Sequence, residues 1–197
     1  MLEVELKSRV DDLALRRAAV ESSGARAVFT GRLEDRRYDT PDRALAARDH
    51  VLRVRVYRAD GEVRAELDWK GPTRRDGGYK LREEIGTGIS DPDALATMLV
   101  SLGYEVSIAI DREIVQYDLD GTMIRFERYP RMDDLVEVEG TPERIEHAIA
   151  LLGLPRDGFS TDRLPDFVKR FEARTGERAA VSDAALAGDE SFDVSNA

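Results

Sequence analysis

The first seven residues alternate. Leu2, Val4 and Leu6 fall on one face of an extended chain, and Glu3, Glu5 and Lys7 on the other. The same period of two returns along much of the sequence. Over 50–58, Leu52, Val54 and Val56 oppose Arg53 and Arg55; over 63–70, Ala65, Leu67 and Trp69 oppose Arg64, Glu66, Asp68 and Lys70. Residues 79–85 carry Lys80, Arg82 and Glu84 on one face, 122–128 set Met123, Arg125 and Glu127 against Ile124 and Phe126, and 135–139 set Glu137 and Glu139 against Val136 and Val138. A further strand is predicted over 107–117, with short extended pieces over 27–31 and 36–40. Asp60-Gly61 and Asp120-Gly121 are hairpin turns, the Gly-Thr-Gly at 86–88 reads as another turn, and 71–78 as a basic loop.

In four places the period lengthens to that of a helix. Over 11–23, Leu13, Ala14, Ala18 and Val20 form an apolar stripe, with Asp11 as the N-cap and Gly24 as the stop. Helices are also predicted over 91–102, 142–152 and 164–174. From 177 the pattern fails, and the Ala-, Asp- and Ser-rich remainder predicts an acidic, disordered tail (177–197) behind a single domain over 1–176.

Strands with one apolar and one charged face suit two architectures. In an open antiparallel sheet the charged faces meet water. In a closed barrel the apolar faces point outward under helices, and the charged faces line an interior that, at roughly eight strands, holds one small ligand. The kind of charge favours the barrel. Arg-x-Arg, Glu-x-Glu and Lys-x-Arg-x-Glu replace the neutral polar residues of an ordinary wet face, and stacked like charges cost stability unless something binds between them. Carboxylate pairs suit a hard divalent cation, whereas guanidinium and ammonium groups suit the oxygens of a polyphosphate. Together they describe a site for a metal-bound polyphosphate.

Composition narrows the remaining choices. A chain of 197 residues with 42% hydrophobic content is long enough for one well-packed domain. It has no apolar run of membrane-spanning length, and its first residues lack a signal-peptide pattern. The absence of cysteine excludes disulfides and thiolate metal sites and makes a cytoplasmic location the expectation. A net charge of −10 argues against nonspecific nucleic-acid binding. Only four of the 30 basic residues are lysine, and Lys7, Lys70 and Lys80 all fall on charged strand faces.

Several of these strands carry motifs in a known order. Glu3-Val-Glu-Leu-Lys7 resembles the ExExK signature of the CYTH superfamily, the triphosphate tunnel metalloenzymes. Leu52-Arg-Val-Arg55 is similar to that family's LRxR strand, Trp69-Lys-Gly-Pro72 to its KGP turn, Arg82-Glu-Glu84 to its RxE and Glu137-Val-Glu139 to its closing ExE. The resemblance covers most of 1–166, and its style is nearest to the class IV adenylyl cyclase branch. It implies an α+β fold: a closed eight-stranded antiparallel β-barrel, the triphosphate tunnel, with helices packed on its outside. It also implies that Lys7, Arg53, Arg55, Lys70, Arg82 and Arg112 grip phosphates with Lys80 and Arg125, that Lys7 and Arg55 are catalytic, and that Glu3, Glu5, Glu127, Glu137 and Glu139 hold Mg²⁺ or Mn²⁺.

Two departures bear on this. Ile114 stands where the family often has a basic residue, so one phosphate contact is lost there or passes to Arg125, and Thr161 stands where a tyrosine is common. The first expected function is conversion of ATP to 3′,5′-cyclic AMP and pyrophosphate. The alternatives are hydrolysis of an inorganic or organic triphosphate, thiamine triphosphate included, and noncatalytic binding of a nucleotide or polyphosphate. Tunnels of this kind can form homodimers through an outer face.

Overall fold

The structure, a computed structural model, describes residues 2–189, 191, 192 and 194, and of Leu2 and Glu3 only the backbone. Nine strands follow one another as β1 (Leu2–Arg9), β2 (Arg26–Asp39), β3 (Val51–Ala59), β4 (Glu62–Lys70), β5 (Arg74–Asp76), β6 (Tyr79–Ile89), β7 (Glu105–Leu119), β8 (Thr122–Arg128) and β9 (Leu135–Glu139). Eight of them pair antiparallel in the order β1-β9-β8-β7-β2-β3-β4-β6, and pairing of β1 with β6 closes the ring. The extra strand β5 is a short addition to β6. The expected α+β barrel is therefore present.

Alternation decides which side chains go inside. The apolar residues Leu6, Ile124, Phe126, Val136 and Val138 point out of the ring, where α1 (Leu13–Ser22) and α3 (Pro142–Leu152) cover them with Val20, Ile145, Ile149 and Leu152. Leu6 is 1% exposed; burying such a side chain contributes about 1.5–3 kcal/mol. On another flank, α2 (Pro92–Ser101) lays Leu99 over Tyr38, Val54, Val56 and Ala65. The fourth helix, α4 (Leu164–Thr175), packs Leu164, Phe167, Val168 and Phe171 on Ile108, Ile110, Tyr129 and Leu135. Ile108 and Ile110 share a strand face with Arg112, and Leu135 shares one with Glu137, so α4 lies over a mouth of the barrel rather than its flank. No described helix is long and apolar enough to cross a membrane.

The basic loop expected over 71–78 contains the short strand β5, and four further expectations need correction. Asp12, not Asp11, caps α1, its carboxylate accepting from the Leu15 N–H. Gly86 and Gly88 are not in a turn but in β6, paired with Asp68 and Glu66 of β4. The two extended pieces at 27–31 and 36–40 are one strand of 14 residues, β2. Alternation is hidden there because both faces are charged: Asp35 and Arg37 line the interior, while Arg36 pairs with Asp111 (2.7 Å) and Arg32 with Glu34 (3.0 Å). Within β2, Gly31 is required by close approach, since a Cβ would collide with the Arg58 carbonyl oxygen.

The fourth correction concerns the segment from 177, which is not a disordered tail over its described residues. The β8 strand ends at Arg128, leaving the start of β7 with an open edge, and this segment fills it. Asp111 N–H donates to the Val181 carbonyl (2.8 Å) and Ala109 N–H to that of Phe192 (3.1 Å), while Ala180 bridges Arg131. Ala179, Val181 and Val194 join the cluster under α4, and a single-turn helix, α5 (Asp183–Leu186), follows. Three small apolar residues in irregular chain have no period to detect.

Candidate active site

Strand pairing stacks opposite charges on the inward faces. Lys7 lies across from Glu137, Glu137 from Arg125, Arg55 from Asp35 and Arg53 from Asp68. The bonds that result run through the barrel. Asp35 accepts from Arg55 Nε (3.1 Å) and Arg112 Nη1 (3.0 Å), and Glu127 accepts from Arg112 Nε (3.0 Å), Lys7 Nζ (3.3 Å) and the Tyr129 hydroxyl (2.8 Å). Arg125 joins Glu127 to Glu137, Lys7 Nζ lies 2.7 Å from Glu137, and Arg53 Nη2 donates to Asp68 (3.0 Å). On the next strands Lys80 pairs with Glu5, Lys70 lies 3.4 Å from Glu84, and Arg82 donates to the carbonyls of Gly71 and Asp49 (both 2.7 Å).

Above this network lies a cavity of about 550 Å³. Lys7, Arg53, Arg55, Lys70, Lys80, Arg82, Arg112, Arg125, Glu5 and Glu137 all face it. Towards the mouth under α4 its lining turns apolar, with Leu52, Ile108, Ile110, Leu164 and Pro165, and a loop carrying Arg43, Asp49 and His50 forms the rim. Below the charged layer, Leu33, Tyr57 and Ile114 fill the interior beside Phe29. Ile114 thus belongs to an apolar floor and stands apart from the phosphate-sized space.

Burial makes these charges interdependent. It opposes ionisation of Glu127, but Lys7, Arg112 and Arg125 outweigh it and the neighbouring Glu137, holding the carboxyl down to about 2 against an ordinary 4.5. Asp35 is likewise held well below the usual range, burial being outweighed by Arg112, Arg55 and Arg53. Burial and Glu127 push the Tyr129 phenol up, so it remains a donor. Carboxyls depressed in the folded state stabilise it fully above their unfolded pKa and lose that contribution as pH falls towards the folded value. The urea midpoint, followed by circular dichroism, is therefore expected to hold down to about pH 4.5 and to fall steeply between there and pH 2.

The expected metal-holding carboxylates separate into two groups. Glu127 and Glu137 are saturated by cationic side chains. Glu5 and Glu139 stand directly opposite one another on β1 and β9, and Glu139 shares the inward face of Glu137. Like charges so placed cost stability unless cations lie beside them; Lys80 already serves Glu5, and the oxygen donors of the pair suit Mg²⁺ or Mn²⁺. The donor set at this pair fits such an ion. Among the described residues, no three carboxylates or histidines are already gathered as a cage. The Glu3 side chain lies outside the described residues; its backbone pairs with Arg82.

Three inward groups went unpredicted: Asp35, Arg37, and Tyr129 beside Glu127. Asp35 and Arg37 fell in the stretch of β2 where alternation disappears. Asp68 was visible on the charged face of its strand, but nothing in the sequence tied it to Arg53.

A CYTH domain model matches residues 1–146. No curated protein sequence matches the chain. Among solved structures, a candidate adenylate cyclase from Vibrio parahaemolyticus superposes with a TM-score of 0.73 at 21% identity, over 86% of this chain and 98% of that one. The PH1819 protein of Pyrococcus horikoshii gives 0.70 at 24% identity, over 85% and 98%. A Hippeastrum protein, described as a candidate adenylyl cyclase with a dominant triphosphatase activity, gives 0.61 at 18% identity, over 91% and 99%.

Proposed function

The chain belongs to the CYTH domain family, and from that premise we propose that it is a divalent-metal-dependent adenylyl cyclase that turns ATP into 3′,5′-cyclic AMP and pyrophosphate. The observation that carries the reading is the convergence of Lys7, Arg53, Arg55, Arg112 and Arg125 on one cavity that also receives Glu5 and Glu137. Without ligand these groups satisfy one another. A polyphosphate offers new acceptors to the cations, and a divalent ion offers a new partner to the carboxylates, so the two fit the site together. The apolar lining near the mouth favours a triphosphate with an organic group, and about 550 Å³ is within the range of organic-ligand pockets.

In this mechanism Arg53, Arg55, Arg112 and Arg125 hold the triphosphate oxygens and neutralise the charge that builds on the departing pyrophosphate. Lys7, held protonated by Glu127 and Glu137, supplies a further donor. Glu5 and Glu139 would hold the ion, with Glu137 beside them; bound there, Mg²⁺ or Mn²⁺ would neutralise phosphate charge and lower the pKa of a coordinated hydroxyl. The ribose 3′-oxygen forms a bond to the α-phosphorus as its proton passes to solvent water, and the bridging α–β bond breaks, its electron pair leaving with pyrophosphate. Orientation inside a rigid barrel contributes by holding the hydroxyl in line.

The second reading, hydrolysis at the terminal phosphorus, uses the same residues with water as the nucleophile, and the activity named for the Hippeastrum protein favours it. Product analysis separates the two. The protein is given ATP, or inorganic triphosphate, with Mg²⁺ or Mn²⁺. Cyclic AMP with equimolar pyrophosphate is the expected result. Phosphate release without a cyclic product makes it a triphosphatase, and no turnover of either substrate overturns the enzymatic reading.

A further inference from the structure

The cations of the charged layer share one property: each is already bonded to protein. Arg37 differs. It lies on β2, paired in register with Arg53 on one side and Ile108 on the other, at the boundary between the charged layer and the apolar mouth. Its Nε is buried with no hydrogen-bond partner among the described residues, yet the residue lines the cavity. One other buried side-chain nitrogen among those residues is in the same condition, Nη1 of Arg43. It lines the same cavity; its side chain is 42% exposed overall, and among the described residues its guanidinium makes a loose approach to Glu105 (3.7 Å). The nearby carboxylates are already engaged: Asp39 accepts from the backbone N–H groups of Thr40, Leu45 and Ala46, and Asp49 from Thr73 and Arg163.

A buried donor without an acceptor is costly, and a guanidinium among other cations is more so. Burial, together with Arg53, Arg112 and Arg82, pushes the Arg37 pKa down to about 10 against the support of Asp35. Two such groups facing one cavity indicate a place kept for acceptor oxygens. Resting on the triphosphate reading, we infer that Arg37 and Arg43 form an outer anion subsite at the cavity mouth, which takes the phosphoryl group joined to the organic part of the substrate. The organic group lies against the apolar lining at the mouth, so the phosphate next to it is the one level with Arg37. The two terminal phosphates lie deeper, among Arg55, Arg112 and Arg125.

This arrangement gives Arg37 a signature that a merely structural arginine lacks. Binding of pyrophosphate and of inorganic triphosphate, each with Mg²⁺, is measured by calorimetry on the wild type, Arg37→Met and Arg43→Gln. The melting temperature of each unliganded protein is recorded alongside. For Arg37→Met the expected result is a rise in unliganded melting temperature, a loss of about ten-fold or more in triphosphate affinity, and a much smaller loss for pyrophosphate, which fills only the deeper positions. Arg43→Gln shows the same dependence on chain length at lower amplitude. Equal losses for the two anions, or a lowered melting temperature with unchanged affinities, overturn the subsite while leaving the triphosphate site standing. Failure of both anions to bind the wild type overturns the triphosphate reading, and the subsite with it.

Discussion

Glu127→Ala is expected to cost about 3–5 kcal/mol of stability, the usual penalty for removing one partner from a buried ionic network. Against a typical total of about 5–15 kcal/mol, that leaves the protein close to unfolding. The reason is local. Glu127 is 1% exposed and its two oxygens serve Lys7, Arg112, Arg125 and Tyr129. Removing them leaves buried cations facing one another, with only Asp35 and Glu137 to compensate. Urea unfolding followed by circular dichroism measures the loss. Glu127→Gln, which keeps an acceptor, is expected to lose less, and a near-native midpoint for Glu127→Ala would mean that the network is not what holds the barrel interior.

Glu5→Ala is expected to do the opposite: to spare the fold and remove the activity. Among the described residues Glu5 forms one ion pair, with Lys80, and their side chains retain 12% and 13% exposure, so freed Lys80 can reach water. A stability loss of about 1–2 kcal/mol follows. With Glu5 gone from its place opposite Glu139, the proposed metal position loses half of its facing pair, and kcat with Mg²⁺ or Mn²⁺ is expected to fall about 10²–10³-fold, the scale seen when one electrostatic stabiliser is removed from a site. Steady-state rates over a metal titration provide the check. Full activity in Glu5→Ala would assign the metal elsewhere.

These two glutamates illustrate what sequence could reveal. Both sit on alternating strands, and alternation alone put them on the charged face; closure of the ring then made that face an interior. Their difference was not legible, because it depends on neighbours brought from other strands: Lys7 of β1 and Arg112 of β7 at Glu127, and Lys80 of β6 at Glu5. Lys7 and Arg112 lie far apart in the chain and meet only at Glu127. Arg37 was missed for another reason. It follows five residues of which four are charged, in a strand with charge on both faces, so period two gave no signal. Ile114 looked like a missing phosphate ligand because the family it resembles often has a basic residue there; packing with Leu33 and Tyr57 explains it as floor. Ala179 to Val181 escaped notice because an edge left open by β8 is a property of the sheet, invisible in the segment that covers it.

The account stands on the barrel interior being the place where a metal-bound triphosphate sits. Crystals grown with inorganic triphosphate and Mn²⁺ test that directly through the anomalous signal of manganese. The expected map has a manganese peak inside the barrel beside Glu5 and Glu139, with continuous phosphate density among Arg53, Arg55, Arg112 and Arg125. Manganese and phosphate on the outer surface, with the interior ion pairs unchanged, would contradict it.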